Sequence, residues 1–406
     1  MADLTPMMRQ YLEIKEQNKD SILFFRLGDF YEMFNEDAKL AARELDLVLT
    51  TRDRSKSAEE QTPMCGIPYH SSDGYIARLI AKGYKVAICE QTEDPALAKG
   101  LVKRDIIRVV TPGTVIDSAC LDDRRGNFLC GVFLDEQNAG VAFCDMSTGH
   151  THVTAFSGAD RAEHLCNELA RFSPAEAVLS AGAYADEELK ALLADRLSCR
   201  VERGDARFDL KAAEKAVLAQ YGEDAYASLP RNNPAAALAL GGLLSYLHET
   251  QKSDLSYISD LEYYEQGRFM ELDLSARRNL ELTETIRGKE KRGSLLWVLD
   301  KTKTAMGARC LRSWLERPLR EVAAITRRSN AVGALVNDTM AREELVLALS
   351  GISDMERLIG RIVYGTAGGR DLVSLRNSIE QLAAVREQLA HFTTGRLGEL
   401  SQELDP

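Results

Sequence analysis

The chain has 406 residues and a formal net charge of −11, with 45% hydrophobic and 28% charged residues. These are ordinary values for a globular protein, and the length allows two to four domains. The acidic balance excludes a surface that is basic throughout, because neutralising a nucleic-acid backbone takes lysine and arginine. A local basic groove stays compatible with this charge.

Targeting signals are absent from the sequence as written. No apolar run approaches the roughly 20 residues that span a bilayer, and Met1–Pro6 has no basic segment leading into an apolar one. The 8 cysteines are scattered and form no CxxC pair, which is typical of reduced thiols. We therefore expect a cytoplasmic protein without membrane contact.

Helices and strands alternate through the first part of the chain, which predicts a mixed α/β domain over 1–115 and a polar linker over 116–126. The predicted helices are 5–18, 36–45 and 71–82, and the predicted strands are 21–27, 47–51, 85–89 and 108–111.

The stretch Phe24–Phe34 allows two interpretations. It begins as an apolar strand, turns at Gly28-Asp29 and continues as the start of a helix. The helical spacing of Phe30, Met33 and Phe34 favours a stripe of core residues. Alternatively, the turn presents the Phe30 ring and the Glu32 carboxylate to a nucleic acid, where a ring stacks on a base and a carboxylate accepts a hydrogen bond from a base edge.

Two loops follow. The polar segment 52–62 contains Arg52, Arg54 and Lys56, and its composition predicts a solvated surface loop. In Pro63–His70, two prolines and a glycine predict a stiff turn. Such a turn is either a buried plug or a rigid wedge offered to a ligand.

A second α/β unit is predicted over 127–252. Three antiparallel strands (127–135, 140–145 and 150–155) precede alternating helices and strands, an order similar to the ribonuclease H-like arrangement. The remainder, 253–406, is predominantly helical in pattern. The predicted fold class is therefore a multidomain α/β plus all-α protein. Because the last helix has no closing element after it, we expect the protein to be incomplete.

Catalytic motifs are weak. Gly288–Gly293 lacks the spacing of a phosphate-binding loop. His150 and His152 share one face of a predicted strand, which is more typical of an exposed strand edge than of a metal site. Asp135 and Asp145 end two adjacent strands, as do the carboxylates of two-metal nucleases, but no further carboxylate is clearly placed beside them. A metal-dependent nuclease of ribonuclease H type is thus the alternative from another class.

Several ordered motifs resemble the MutS family of DNA mismatch-repair proteins, and its bacterial type most closely. The first is Gly28-Asp29-Phe30-Tyr31-Glu32, similar to the family's Phe-x-Glu mismatch-reading motif. The others are Gly66–His70, Ala87–Gln91, Val109–Thr114, Leu274–Glu281 and Thr304–Leu319. Motifs in the same order along almost the whole chain are far more specific than a lone glycine pattern.

The resemblance implies a mismatch-binding domain, a ribonuclease H-like connector and an incomplete helical core or lever domain. It gives Phe30 the stacking role and Glu32 the hydrogen-bonding role at the mismatch. Further DNA-contact candidates are Arg52, Met64, Gly66, Ile67, Pro68, Tyr69 and His70.

The implied function is recognition of mismatched or unpaired bases in double-stranded DNA. The resemblance also implies a homodimer and a MutL-type repair partner bound through the connector and core. ATP and magnesium belong to an ATPase domain that these residues do not include, so we expect no enzymatic activity here. A third alternative is a partner-docking module that does not itself bind DNA.

Overall fold

The computed structural model describes residues 5–51, 61–93, 100–252, 255–265, 267 and 269–405. Within these residues the strands form two six-stranded sheets, each of which carries helices. The strands are β1 (Ser21–Leu27), β2 (Phe30–Phe34), β3 (Thr50–Thr51), β4 (Pro63–Pro68), β5 (Lys85–Gln91), β6 (Arg104–Val110), β7 (Leu129–Leu134), β8 (Asn138–Asp145), β9 (His150–Ser157), β10 (Glu176–Leu179), β11 (Arg200–Arg203) and β12 (Asp260–Tyr263).

The first sheet has the order β3-β4-β2-β1-β5-β6, with β1 parallel to β5 and antiparallel to β2. Its helices are α1 (Pro6–Glu16), α2 (Asn35–Leu45) and α3 (Ser72–Ala81). Apolar residues of β1 alternate between two cores, as expected for a strand that is covered on both faces. Leu23 and Phe25 pack with Tyr11 of α1, whereas Phe24 packs with Ala41 of α2 and Leu79 of α3.

The second sheet has the order β11-β10-β7-β8-β9-β12. The long apolar helix α8 (Ala235–Gln251) crosses β7 and β8. A Cβ at Gly131 or Gly140 would collide with the α8 backbone. Strand β12 pairs with β9 and lies beyond residue 252, so this sheet continues past the boundary drawn from the sequence. The other helices of this region are α4 (Arg161–Phe172), α5 (Ala181–Ala185), α6 (Glu187–Ala191), α7 (Leu210–Ser228) and α8 (Ala235–Gln251).

The remainder of the chain is helical, as the sequence pattern predicts. Its helices are α9 (Leu274–Asn279), α10 (Leu295–Leu299), α11 (Ala305–Glu316), α12 (Val322–Asn337), α13 (Thr339–Ser350), α14 (Met355–Val363), α15 (Gly369–Ala390) and α16 (Gly395–Glu403). Helix α9 is much shorter than the predicted 274–286. In the described part of the chain, no helix is long and apolar enough to cross a bilayer.

A buried carboxylate joins the first sheet to the second. Glu176 of β10 is completely buried, and its Oε2 accepts hydrogen bonds from the Thr111 hydroxyl and from the Gly113 amide, the latter at 3.1 Å. Its Oε1 accepts one from the Tyr246 hydroxyl at 2.7 Å. Burial raises the pKa of Glu176, and these hydrogen bonds oppose that rise. The segment that follows β6 is thereby held against the second sheet.

A buried arginine joins the helical region to the second sheet. Arg357 of α14 is 2% exposed, and its Nε donates to the Ser147 hydroxyl at 3.0 Å. Its two terminal nitrogens donate to the carbonyls of Asp122 and Arg125 at 2.9 and 2.7 Å. Ser147 in turn donates to the Asp145 carboxylate at 2.6 Å. One guanidinium therefore ties together a helix, the linker and the end of β8.

We expect Arg357→Ala to lower the free energy of unfolding by about 2–4 kcal/mol, because it leaves buried carbonyls without a donor. Urea denaturation followed by circular dichroism measures this change. Arg376→Ala is the matched control, since Arg376 is exposed on α15, and should change stability by less than about 0.5 kcal/mol. Equal effects of the two substitutions would contradict the structural role of Arg357.

A histidine provides a second link between these regions. The His150 imidazole lies 2.5 Å from a carboxylate oxygen of Asp260 and 3.9 Å from one of Glu356. The nearby carboxylates of Glu356 and then of Asp260 outweigh burial and raise the pKa of His150 to about 9.

This raised pKa predicts a pH-dependent stability. The contribution of His150 should be complete below its unfolded pKa of about 6.5 and be lost as the pH rises through about 9. The melting-temperature difference between wild type and His150→Gln, measured from pH 6 to pH 10, should therefore shrink with rising pH. His248→Gln, at an exposed position of α8, is the control, and an equal trend in both variants would contradict the role of His150.

Candidate nucleic-acid interface

The segment after the turn at Gly28-Asp29 is a strand, and the predicted helix start is wrong. Gly28 has φ +57°, a conformation that favours glycine and allows a two-residue hairpin between β1 and β2. Side chains of β2 therefore alternate between the two faces of the sheet. Tyr31 and Met33 point into the core, whereas Phe30 is 47% exposed and Glu32 is half-buried. The interpretation of Phe30 as a core residue is thus also wrong.

The segment Pro63–Pro68 is also a strand and not the stiff turn expected from its prolines. It pairs antiparallel with β2, and this register sets Pro68 opposite Phe30 and Gly66 opposite Glu32. Strand β4 lies between β2 and the two-residue β3, so most of its amides are needed for hydrogen bonds to neighbouring strands. Proline has no N–H to donate, and the prolines of β4 accordingly occupy only its first and last positions.

The alternation of β4 divides the candidate DNA-contact residues. Gly66 and Pro68 lie on the same face as Phe30, and Met64 lies on that face but packs partly into the core beneath α1. Ile67 is fully buried on the opposite face. The Ile67 side chain is therefore removed from the candidate DNA-contact set, because no part of it reaches the surface.

Gly66 keeps the space beside Phe30 and Glu32 open. A Cβ at this position would lie 4.0 Å from Cδ1 of Phe30 and 3.6 Å from Cγ of Glu32. Any larger side chain would extend further into the surface that these two residues present.

Tyr69 and His70 form one rim of this surface. The Tyr69 amide donates to the Asp29 carbonyl at 3.0 Å, which ties the end of β4 to the hairpin turn. The Tyr69 ring is 40% exposed, and its centroid lies 3.4 Å from the Arg26 guanidinium carbon. The His70 ring packs edge-on against the Tyr69 ring. Arg26 also pairs with Glu90 at 3.2 Å. The register sets Arg26 opposite Tyr31, so this cation lies on the face of the sheet that is opposite to Phe30.

The sequence analysis did not predict the contact between Arg26 and Tyr69, although Arg26 lies on the predicted strand 21–27, two residues before the turn. Arg52, by contrast, lies outside the described residues.

The proposed nuclease carboxylates are far apart. Asp135 precedes β8 and Asp145 ends it, so at about 3.4 Å per residue they are separated by roughly 20 Å or more. Two catalytic metal ions lie only about 4 Å apart. Asp135 accepts hydrogen bonds from two amides of its own turn, and Asp145 is buried and accepts them from Asn127 and Ser147. Both carboxylates therefore have structural roles that the nuclease interpretation does not explain.

The two histidines of β9 also have carboxylate partners: Asp260 lies beside His150 and Glu262 beside His152. Burial lowers the pKa of His152. In the described part of the chain, no group of three or more His, Cys, Asp or Glu side chains is arranged to hold a metal ion.

The exposure of Phe30 predicts how it affects stability. We expect Phe30→Ala to cost less than about 1 kcal/mol, whereas Phe25→Ala, at a fully buried position of β1, should cost about 3–5 kcal/mol. Thermal and urea denaturation of both variants measures this difference. Comparable losses would mean that the Phe30 ring is packed in solution.

Three family models match consecutive parts of the chain. They are MutS domain I over residues 5–119, MutS domain II over 127–259 and MutS domain III over 275–405. Together they cover most of the sequence.

Curated relatives match along the whole chain. A "DNA mismatch repair protein MutS" of Acetivibrio thermocellus is 48% identical over 96% of this chain and 44% of its own length. Proteins of the same name from Ruminiclostridium cellulolyticum and Symbiobacterium thermophilum are 46% and 45% identical, each over 100% of this chain and 46% of their own length. The chain therefore spans a little under half the length of these relatives. With its three successive domain matches, it belongs to the MutS family.

Proposed function

We propose that this chain recognises mismatched or unpaired bases in duplex DNA, with Phe30 as a wedge and Glu32 as a hydrogen-bonding group. One observation carries the proposal: Phe30 is 47% exposed, although Phe25 and Phe34 on the same face are fully buried beneath α1. A large ring left uncovered at the edge of a core is available to a ligand. The family membership supports DNA as that ligand.

The wedge works through the difference between a paired and a mismatched step. Inserting a ring between bases requires unstacking and kinking the duplex, which costs a few kcal/mol. A mismatched step is already poorly stacked, so the cost is lower there. Stacking of the ring on a base then returns about 1–3 kcal/mol. Phe30 therefore favours the mismatch by comparison with ordinary duplex.

Glu32 adds selectivity through repulsion. A carboxylate that approaches a groove is repelled by the phosphates unless it meets a donor on a base edge or is protonated. A paired and stacked step holds its base edges in fixed positions, whereas a mismatched step deforms more easily and can bring a donor to Glu32. Glu32 therefore disfavours matched DNA more than mismatched DNA. The open space at Gly66 leaves room beside both functional side chains.

Further parts of the proposal rest on the family resemblance. They are the three-domain division at 115, 126 and 252, a ribonuclease H-like connector, a MutL-type partner and a homodimer. ATP and magnesium stay predictions for the longer family members, because these 406 residues contain no phosphate-binding loop of the glycine-lysine type.

The central test compares two exposed apolar residues on the first sheet. We expect Phe30→Ala to abolish the preference for a duplex containing one unpaired base, measured by fluorescence anisotropy at low salt. Ile107→Ala is the matched control, since Ile107 is also 47% exposed but lies on the distant edge strand β6. A single DNA-binding site lacks the roughly 10²–10⁴-fold gain in affinity that a second, linked site gives. The measurement is therefore made at low salt, where attraction to the phosphates is screened least.

A mismatch preference that survives in Phe30→Ala would overturn the assignment of the wedge. If neither wild type nor variant binds DNA but wild type captures a purified repair partner, the docking-module alternative is favoured.

Glu32→Gln should have the opposite effect on matched DNA. Removing the charge removes the repulsion, so affinity for fully paired duplex should rise and the ratio of mismatched to matched affinity should fall. Titration of both duplexes at two salt concentrations measures this ratio. An unchanged ratio would show that Glu32 takes no part in discrimination.

A further inference from the structure

A cavity of about 1060 Å³ lies between the second sheet and the helical region, away from the Phe30 surface. Nine arginine and lysine residues line it, against five aspartate and glutamate residues. This local excess of positive charge contrasts with the net charge of −11 of the chain. The basic lining residues are Arg125, Arg171, Arg196, Arg277, Arg278, Lys289, Arg309, Arg312 and Arg317.

Some of these cations are neutralised by neighbouring carboxylates. Arg309 forms close pairs with Asp354 and Glu356, at 2.6 and 2.7 Å. Arg312 pairs with Glu316 at 3.2 Å. These ion pairs offset the cost of placing charged groups in a partly buried site.

Two other guanidinium groups have neutral hydrogen-bond partners within the described part of the chain. Arg277 donates to the carbonyls of Leu272 and Glu316, both at 2.9 Å. Arg125 donates to the Ser173 hydroxyl at 2.8 Å. The Glu316 carboxylate acts on both groups through space and offsets part of their charge.

Arg317 has an unused donor. Among the residues that the structure describes, its Nη2 is buried without a hydrogen-bond partner, and its Nη1 lies 3.7 Å from a carboxylate oxygen of Glu262. The side chain lies beside the rings of Phe172 and Tyr264, with its guanidinium carbon 5.4 and 4.5 Å from their centroids. Burial, and then the charge of Arg171, lower the pKa of Arg317. An orphaned buried donor among like charges is costly unless an anion reaches it.

We propose that this cavity binds a di- or triphosphate group, either free or carried by a nucleotide. Planar guanidinium forks match phosphate oxygens, and several forks around one space suit an anion with more than one negative charge. The volume is at the upper end of small-ligand pockets and too small for a duplex. Phe128 and Phe172 also line the cavity and would contact an attached base. The site is separate from the proposed mismatch-reading surface.

Calorimetric titration of this chain without magnesium tests the proposal, with pyrophosphate, adenosine diphosphate and adenosine as probes. We expect both phosphate compounds to bind, with affinity that falls as salt rises. Adenosine alone should not bind. Tighter binding of adenosine diphosphate than of pyrophosphate would identify a nucleotide as the source, and equal binding would identify free polyphosphate.

Two variants locate the site. Arg277→Gln and the rim substitution Arg125→Gln should each weaken pyrophosphate binding by about tenfold. Arg203→Gln removes an exposed arginine on β11 that pairs with Asp205, and should leave binding unchanged. Circular dichroism checks that each variant folds. If Arg277→Gln does not fold, Arg125→Gln still tests the proposal, because Arg125 is exposed. No binding by wild type, or equal losses in Arg125→Gln and Arg203→Gln, would overturn the proposal.

Discussion

The two-residue turn at Gly28-Asp29 is the constraint on which the candidate site depends. It fixes the register of β1 with β2, and β4 then adds to β2 in a matching register. Because strand side chains alternate, a slip of one residue would turn Phe30 and Glu32 toward the core with α2 and α3 and place Tyr31 and Met33 on the face of Phe25 and Phe34. The positive φ of Gly28 is therefore tied to which aromatic ring the protein presents.

The length of one helix decides how much of that sheet face is covered. Helix α1 has eleven residues, about 16 Å, and Tyr11 packs against both Phe25 and Phe34. Phe30 lies on the same face outside this contact and keeps nearly half of its surface in water. Leaving it exposed forfeits part of the roughly 1.5–3 kcal/mol that burial of such a ring contributes. Local sacrifices of stability of this kind are typical of functional sites.

The sequence pattern predicted the strand 21–27 with the bounds that the structure has. It is a strongly apolar segment that ends at Gly28. The pattern failed at β2 because Phe30, Met33 and Phe34 satisfy the helical period, while the alternation of Phe30-Tyr31-Glu32-Met33 is only four residues long. It failed at β4 because prolines at both ends of a strand resemble a turn. Neither the basic cavity beside the second sheet nor the Arg357 contacts could be predicted, since they join residues more than a hundred positions apart.

The way Arg357 binds the linker has a consequence for evolution. Its terminal nitrogens contact two main-chain carbonyls, those of Asp122 and Arg125, and every residue type carries such a group. Substitutions at these two linker positions leave the acceptors in place, so the contact with Arg357 does not itself restrict side-chain identity there. An insertion or deletion between them would move one carbonyl away from the planar guanidinium. This contact therefore constrains the path and length of the linker and not its composition.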